Sequence, residues 1–142
     1  MHFTRKNQPA LLEAALAATS STGFKEDAVA IGASIEPGSP ICAVGVFQAF
    51  EADAAEFHFG LIGEGRITPQ ILQAFASLAF HHKALNLGRV WARIEASNAP
   101  AQVAALKTGF SFDARVRAGM ANGKDAILMS MTRPQPGQPL PG

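Results

Sequence analysis

The sequence predicts one domain of the α+β class, in which helices flank a mostly antiparallel sheet. Three observations lead to this prediction: apolar segments of period two, a strand–helix–strand run over residues 56–97, and turn signals on both sides of that run. A strand–helix–strand run closes as a parallel pair with a right-handed crossover, whereas hairpins give antiparallel pairs. The length of 142 residues suits one domain, which we place at residues 1–133.

The last nine residues, 134–142, contain four prolines and two glycines, and we expect them to form a flexible tail. At the other end, residues 9–19 are rich in Ala and Leu and start with Pro, which predicts a helix. Residues 28–35 and 41–50 are apolar strands on either side of a Pro-Gly turn, so we expect an antiparallel hairpin. A further short strand is predicted at residues 2–5.

Residues 56–62 form the next predicted strand, and its side chains alternate in character. Phe57 and Phe59 lie on one face, and Glu56 and His58 on the other. The alternation predicts one face toward the core and one polar face.

The helix that follows has a strong start signal. Thr68 is placed as the N-cap and Pro69 in the first turn. Apolar spacings of three and four extend to Ala84, with His82 on the buried face, and Asn86 is expected to close the helix.

The rest of the chain is predicted as strand, helix and hairpin. Residues 89–97 alternate, residues 100–107 are helical, and Gly109 stands where a left-handed C-cap belongs. The last two strands, 110–117 and 125–132, lie on either side of an Asn-Gly turn signal.

Composition excludes several classes of function. Twelve basic residues against eleven acidic residues give a net charge of +1, which argues against a nucleic-acid binder. No run of 18 apolar residues is present, so we expect no membrane span. One cysteine, Cys42, and four scattered histidines argue against a disulfide and a dense zinc site. We therefore expect a cytoplasmic, reduced protein without a metal.

Two segments could bind a ligand. The loop at residues 63–67 leads into a helix N-terminus, whose free amides could hold an anion; a simple tight turn is the alternative. Asn98 precedes a helix, where spacing favours a structural cap, although its amide could also hydrogen-bond a ligand.

The order of elements, with Gly-x-Gly before the first helix of the crossover and Asn-x-x-Ala…Gly-Phe after its second strand, resembles the GNAT superfamily of acyl-CoA-dependent N-acetyltransferases. The similarity extends over residues 56–131 and is greatest to the branch that acetylates protein N-termini and small amines. The resemblance implies a sheet splayed between strands 56–62 and 89–97, with acetyl-CoA in the opening.

The resemblance also implies which residues hold the acetyl-CoA cosubstrate. They are Ile62, Gly63, Gly65, Arg66 and Thr68 around the phosphates, and Asn98 near the pantetheine arm. The chain departs from the family at two positions. Gly60 stands where Gln or Arg is usual, and Ala105 takes the place of the frequent general acid Tyr, a residue type that the chain lacks altogether.

The implied reaction is direct attack of a primary amine on acetyl-CoA in a ternary complex, which needs a base for the amine. The candidates are Glu56, His58 and Glu95, each of which could instead be a solvated polar residue on a strand. The acceptor would be a small molecule or a protein N-terminus, and a homodimer stays open. A binding module without turnover and a structural protein that pairs its sheet edge with a copy of itself are the other two hypotheses.

Overall fold

The computed structural model describes residues 1–19, 21–63 and 68–134. Within these ranges, seven strands and three helices confirm the predicted α+β class. In chain order the elements are β1 (His2–Thr4), α1 (Gln8–Thr19), β2 (Val29–Ser34), β3 (Ala43–Glu51), β4 (Ala54–Leu61), α2 (Pro69–Phe80), β5 (Arg89–Glu95), α3 (Ala99–Thr108), β6 (Ser111–Val116) and β7 (Ala126–Thr132).

The chain divides into two compact units. The first contains Met1–Glu51 and Ala55–Arg66, and the second contains Ala52–Ala54 and Ile67–Gly142. The single domain over residues 1–133 and the splay between the two central strands stay predictions. The tail at residues 135–142 lies outside the described residues.

In the first unit, α1 packs on a sheet with the strand order β1-β2-β3-β4. β1 pairs with β2, and β2 with β3, in antiparallel registers. Gly32 on β2 lets the helix approach, because a Cβ there would stand 2.8 Å from Cδ2 of Leu11. The buried residues of this core are Leu11, Ala15, Ala30, Val44 and Val46.

The second unit has the strand order β5-β7-β6, with both pairs antiparallel, and α2 packs against α3. Gly109 adopts the predicted left-handed C-cap, with φ of 118°. The predicted hairpin of β6 and β7 is confirmed. Its connection spans residues 117–125, close to the predicted 118–124, and Gly123 within it has φ of 83°.

The predicted end of α2 at Ala84 is wrong, because the helix stops at Phe80. The chain turns back so that the N–H of Leu87 donates to the Ala79 carbonyl at 2.8 Å, and Leu87 is buried there. His82, predicted on the buried face, is exposed and stacks on exposed His81 instead. After Phe80 the chain thus folds back on the end of α2 instead of continuing the helix.

The predicted strand 41–50 includes Cys42, whereas β3 begins at Ala43 and the half-buried Cys42 precedes it. Among the described residues, no helix has the length and apolar character that crossing a membrane requires.

Candidate active site

Three polar side chains meet in the first unit, on β3 and β4. Gln48 Nε2 lies 2.9 Å from Glu56 Oε1 and 3.1 Å from His58 Nε2. The third side of this triangle, from His58 Nε2 to Glu56 Oε1, is 2.9 Å. The structure therefore brings two predicted catalytic residues together, and adds a glutamine that the sequence analysis did not single out.

Burial differs within this cluster. Glu56 is 1% exposed and Gln48 is 6% exposed, whereas the His58 side chain keeps 24% of its surface in contact with solvent. The alternative of a solvated strand residue is therefore wrong for Glu56. A buried carboxyl group is costly unless it is hydrogen-bonded, and here Gln48 and His58 satisfy it. His58 is the member that a substrate could reach.

The register of the β3–β4 hairpin places Gln48 on the Glu56 side. With a two-residue turn after Glu51, Gln48 would pair directly with Phe57. Its side chain would then lie on the Phe57 face of the hairpin and not on the Glu56 face. Instead, Gln48 contacts Glu56 and His58, and the Phe47 ring lies 4.9 Å from the Phe57 ring. Both contacts require the register to shift by one residue within β3.

The shift occurs at Ala49, which has a left-handed φ of 53°. The Asp27 carboxylate accepts the N–H of Ala49 at 3.0 Å and that of Phe50 at 2.8 Å. Two successive amides turned to one acceptor, with a left-handed residue, are the features of a β-bulge. Asp27 therefore stabilises the bulge that turns Gln48 toward the polar cluster.

The orientation of the Gln48 amide follows from its other contact. The backbone N–H of Lys25 donates to Gln48 Oε1 at 2.7 Å. Because a backbone nitrogen only donates, Oε1 must face Lys25 and the donor Nε2 must face Glu56. The Phe24 ring also contacts this cluster: it lies edge-on to the His58 imidazole, with 5.7 Å between the ring centroids.

The distances require one proton between Glu56 and His58. Without it, the lone pairs of Oε1 and Nε2 would face each other at 2.9 Å. Either Glu56 Oε1 or His58 Nε2 can carry this proton, and a proton on His58 Nε2 would face the Gln48 amide donor 3.1 Å away. Within the described ranges, Nδ1 of His58 has no hydrogen-bond partner.

Glu95, the third candidate base, belongs to the second unit. Its Oε1 lies 3.0 Å from the Lys124 ammonium, an ion pair whose angles are not those of a hydrogen bond. Asp125, the next residue along the chain, accepts a hydrogen bond from the Ala118 N–H and two from Arg115; these bonds hold the pKa of its carboxyl group below the usual value.

The residues predicted to hold acetyl-CoA are partly described. Thr68 is the N-cap of α2 as predicted, since its Oγ1 accepts the Ile71 N–H at 3.3 Å. Gly63 has φ of 79°, and no atom of the described residues lies within 4 Å of where its Cβ would be. The Ile62 N–H donates to the Cys42 carbonyl. Gly65 and Arg66 lie outside the described residues.

Gly60, where the resemblance expects Gln or Arg, has a packing reason to be glycine. A Cβ there would stand 2.6 Å from the Ala18 methyl group at the end of α1. A long side chain does not fit against that helix without displacing it.

The capping role of Asn98 is confirmed, because its Oδ1 accepts the Ala101 N–H at 3.2 Å. Gln102 supports the same corner by donating to the carbonyls of Glu95 and Ala96. The contact of Asn98 with a pantetheine arm stays a prediction. In the part of the chain that the structure describes, no three His, Cys, Asp or Glu side chains are grouped to hold a metal ion.

Gln48, Asp27 and Phe24 are the contributors that sequence reasoning missed. One signal was available for Gln48, the polar residue within the apolar run 41–50. Strand alternation alone would still have placed it on the wrong face.

Neither a protein-family model nor a curated protein sequence matches the chain. Solved structures do match. IAA acetyltransferase from Bacillus cereus superposes with a TM-score of 0.73 at 15% identity, over 93% of this chain and 99% of that one. A spermidine N-acetyltransferase chimera from Vibrio cholerae gives 0.65 at 14% identity, over 76% and 69%.

A ribosomal-protein-S5-alanine acetyltransferase from Vibrio fischeri gives a TM-score of 0.61 at 20% identity, over 75% of this chain and 62% of that one. All three are acetyltransferases, and identities this low establish likeness of fold. The chain has the fold of the GNAT acetyltransferases, as the resemblance in sequence implied.

Proposed function

We propose that this chain, which has the fold of acetyltransferases, moves an acetyl group from acetyl-CoA to a primary amine by direct attack in a ternary complex. One observation carries the proposal: the buried Glu56 carboxylate lies 2.9 Å from Nε2 of the half-buried His58. Such a pair orients an imidazole and leaves its other nitrogen as a base.

His58 has one task in this reaction. An amine is mostly protonated at neutral pH, and only the neutral form attacks a thioester carbonyl. The His58 imidazole takes the proton from the ammonium, and the Glu56 carboxylate 2.9 Å away stabilises the charged ring. The N–C bond then forms and the C–S bond breaks. The nitrogen gives its second proton to solvent water, the thiolate takes a proton from solvent water, and His58 returns its proton to solvent.

Among the described residues, the N-cap Thr68 of α2 is the candidate for the cosubstrate phosphates, because a helix N-terminus attracts anions. Acetyl-CoA supplies the acetyl group, and the protein supplies binding and the base. The acceptor class is an amine on a small molecule or at a protein N-terminus.

The test is release of free thiol from acetyl-CoA with a panel of amines: spermidine, a peptide that begins with alanine, and small aliphatic amines. We expect release that scales with protein concentration for one class. His58→Ala should lower kcat by at least about 100-fold. His81→Ala removes an exposed imidazole from the second unit and serves as the matched control.

No thiol release with any amine would overturn the proposal. Thermal stabilisation by CoA without thiol release would favour the binding module instead. Full activity in both His58→Ala and Glu56→Gln, each shown to be folded by circular dichroism, would exclude this pair as the base.

A further inference from the structure

We infer that Phe24 selects the acceptor: its ring packs on the carbon chain that carries the amine and so favours amines on an aliphatic chain. This role rests on the proposed function and deepens it. The Phe24 ring lies edge-on to the His58 imidazole, with 5.7 Å between the two centroids. Phe24 is therefore a specificity-determining residue, which contacts the substrate and moves no proton.

The neighbours of the His58 ring leave one approach for a substrate. Gln48 Nε2 and Glu56 Oε1 lie 3.1 Å and 2.9 Å from His58 Nε2, and both of these side chains are buried. They close that side of the ring. Phe24 contacts the same imidazole and, like His58, keeps part of its surface exposed. An acceptor that reaches the imidazole from solvent therefore comes to the contact between Phe24 and His58.

The dimensions of this contact bring the acceptor's carbons to Phe24. An amine that gives its proton to an imidazole lies about 3 Å from a ring nitrogen. The two rings are separated by 5.7 Å between centroids, an ordinary aromatic contact distance. The first few carbons attached to the amine then lie within van der Waals reach of the Phe24 ring.

Phe24 is held in place by the segment that carries it, residues 24–27. The backbone N–H of Lys25 donates to Gln48 Oε1 at 2.7 Å, and the Asp27 carboxylate accepts two backbone N–H groups of β3. Part of the Phe24 side chain also packs against the buried core of the first unit. A ring fixed in this way favours a matching substrate, because little side-chain freedom is lost when the substrate packs on it.

The chemistry of the Phe24 side chain decides what it recognises. Phenylalanine has no polar atom, so a hydroxyl or carboxylate group placed against it would leave water without gaining a hydrogen bond. Each methylene group that leaves water there should strengthen binding by a factor of about two to four. The acceptor class is therefore a primary amine on an unbranched aliphatic chain.

A homologous series tests this role: methylamine, ethylamine, propylamine and butylamine, which are nearly equal in basicity. In the unmodified protein we expect kcat/KM for the amine to rise about two- to fourfold per methylene group, mainly through KM. Phe24→Ala should abolish most of this rise and leave methylamine almost unaffected. Phe24→Leu keeps apolar surface at the same place and should retain part of the rise.

The matched control is Phe59→Ala. Phe59 is also a half-buried phenylalanine of the first unit, but it lies on the face of β4 opposite His58, with its ring 6.3 Å from that of Phe57. We expect an unchanged dependence on chain length in this variant. Circular dichroism checks that each variant is folded.

No rise along the amine series in the unmodified protein would overturn the role of Phe24, even if Phe24→Ala does not fold. An equal loss for all four amines in folded Phe24→Ala would also overturn it, because Phe24 would then act on His58 and not on the carbon chain.

Binding of the same four amines without acetyl-CoA separates this role from the proposed function. Proton NMR signals of the His58 ring report amine binding and need no catalysis. If no amine releases thiol, the proposed function fails. The dependence of amine affinity on chain length, and its loss in Phe24→Ala, then still decide whether Phe24 contacts the chain.

Discussion

Oδ1 of Asp27 lies 3.0 Å from the backbone nitrogen of Ala49, 22 residues away in sequence. This hydrogen bond belongs to the bulge at which β3 changes register. The side chain one position earlier is Gln48, and the register change turns it toward Glu56 and His58. A surface carboxylate thus determines the composition of a buried polar cluster.

Ala49→Gly should stabilise the protein. Ala49 has φ of 53°, a conformation that costs an L-residue about 1–2 kcal/mol and glycine almost nothing. The greater freedom of glycine in the unfolded chain offsets part of this gain, so we expect a net increase of up to about 1 kcal/mol. Thermal unfolding followed by circular dichroism measures it.

Ala30→Gly is the matched control for Ala49→Gly. Ala30 is fully buried in β2, and its φ is not positive, so glycine there should destabilise. A clear loss of stability in Ala49→Gly would contradict the left-handed bulge.

Gly60→Ala should destabilise the first unit by about 1–3 kcal/mol. The added Cβ would stand 2.6 Å from the Ala18 methyl group and 3.1 Å from the Ala18 carbonyl carbon, so α1 must shift. Gly23→Ala is the control, since its φ is not positive and, in the part of the chain that the structure describes, nothing lies within 4 Å of its Cβ position. Urea unfolding of the two variants should differ in midpoint; equal midpoints would mean that α1 does not pack closely on β4.

Asn98→Ala should lower the free energy of unfolding by about 0.5–2 kcal/mol, because the Ala101 N–H loses its cap. Asn98→Asp keeps an oxygen acceptor and should retain most of the stability. The pair also tests the predicted contact with the cosubstrate. If Asn98→Asp melts like the unmodified protein but needs more CoA for the same thermal stabilisation, Asn98 has both roles; unchanged CoA dependence leaves it as a cap alone.

Asp125 contributes stability that depends on pH. The hydrogen bond from Ala118, followed by that from Arg115, lowers the pKa of the Asp125 carboxyl group below its ordinary value of 3.8. The unfolded chain therefore binds this proton more readily, so the contribution is present above that value and is lost as pH falls through the lowered folded pKa.

The test is to measure the melting temperatures of the unmodified protein and of Asp125→Asn from about pH 7 down to about pH 2. The unmodified protein should be more stable near neutrality, and the difference should shrink in the acidic part of the range. Asp113→Asn removes an exposed carboxylate 3.6 Å from Arg89 and controls for the loss of a surface charge. A difference that does not vary with pH would contradict the role of the ionised Asp125.

Local signals in the sequence predicted much of this fold. The alternation of Glu56 and His58 with Phe57 and Phe59 placed the candidate bases on one face of β4, since strand period is a property of the backbone itself. Thr68, Asn98 and Gly109 marked helix ends because capping depends on residues within one turn. These features need no information from distant parts of the chain.

What the sequence by itself determined, then, is the class of fold, the capped helix ends and the pair of Glu56 and His58 on a shared strand face. Only the tertiary structure decided where α2 stops, because Leu87 closes that helix from outside its periodic segment. It also decided that Gln48 joins the pair, because the bulge at Ala49 depends on a carboxylate 22 residues away. Strand alternation depends only on neighbouring residues. It therefore does not predict a register shift that a distant side chain stabilises.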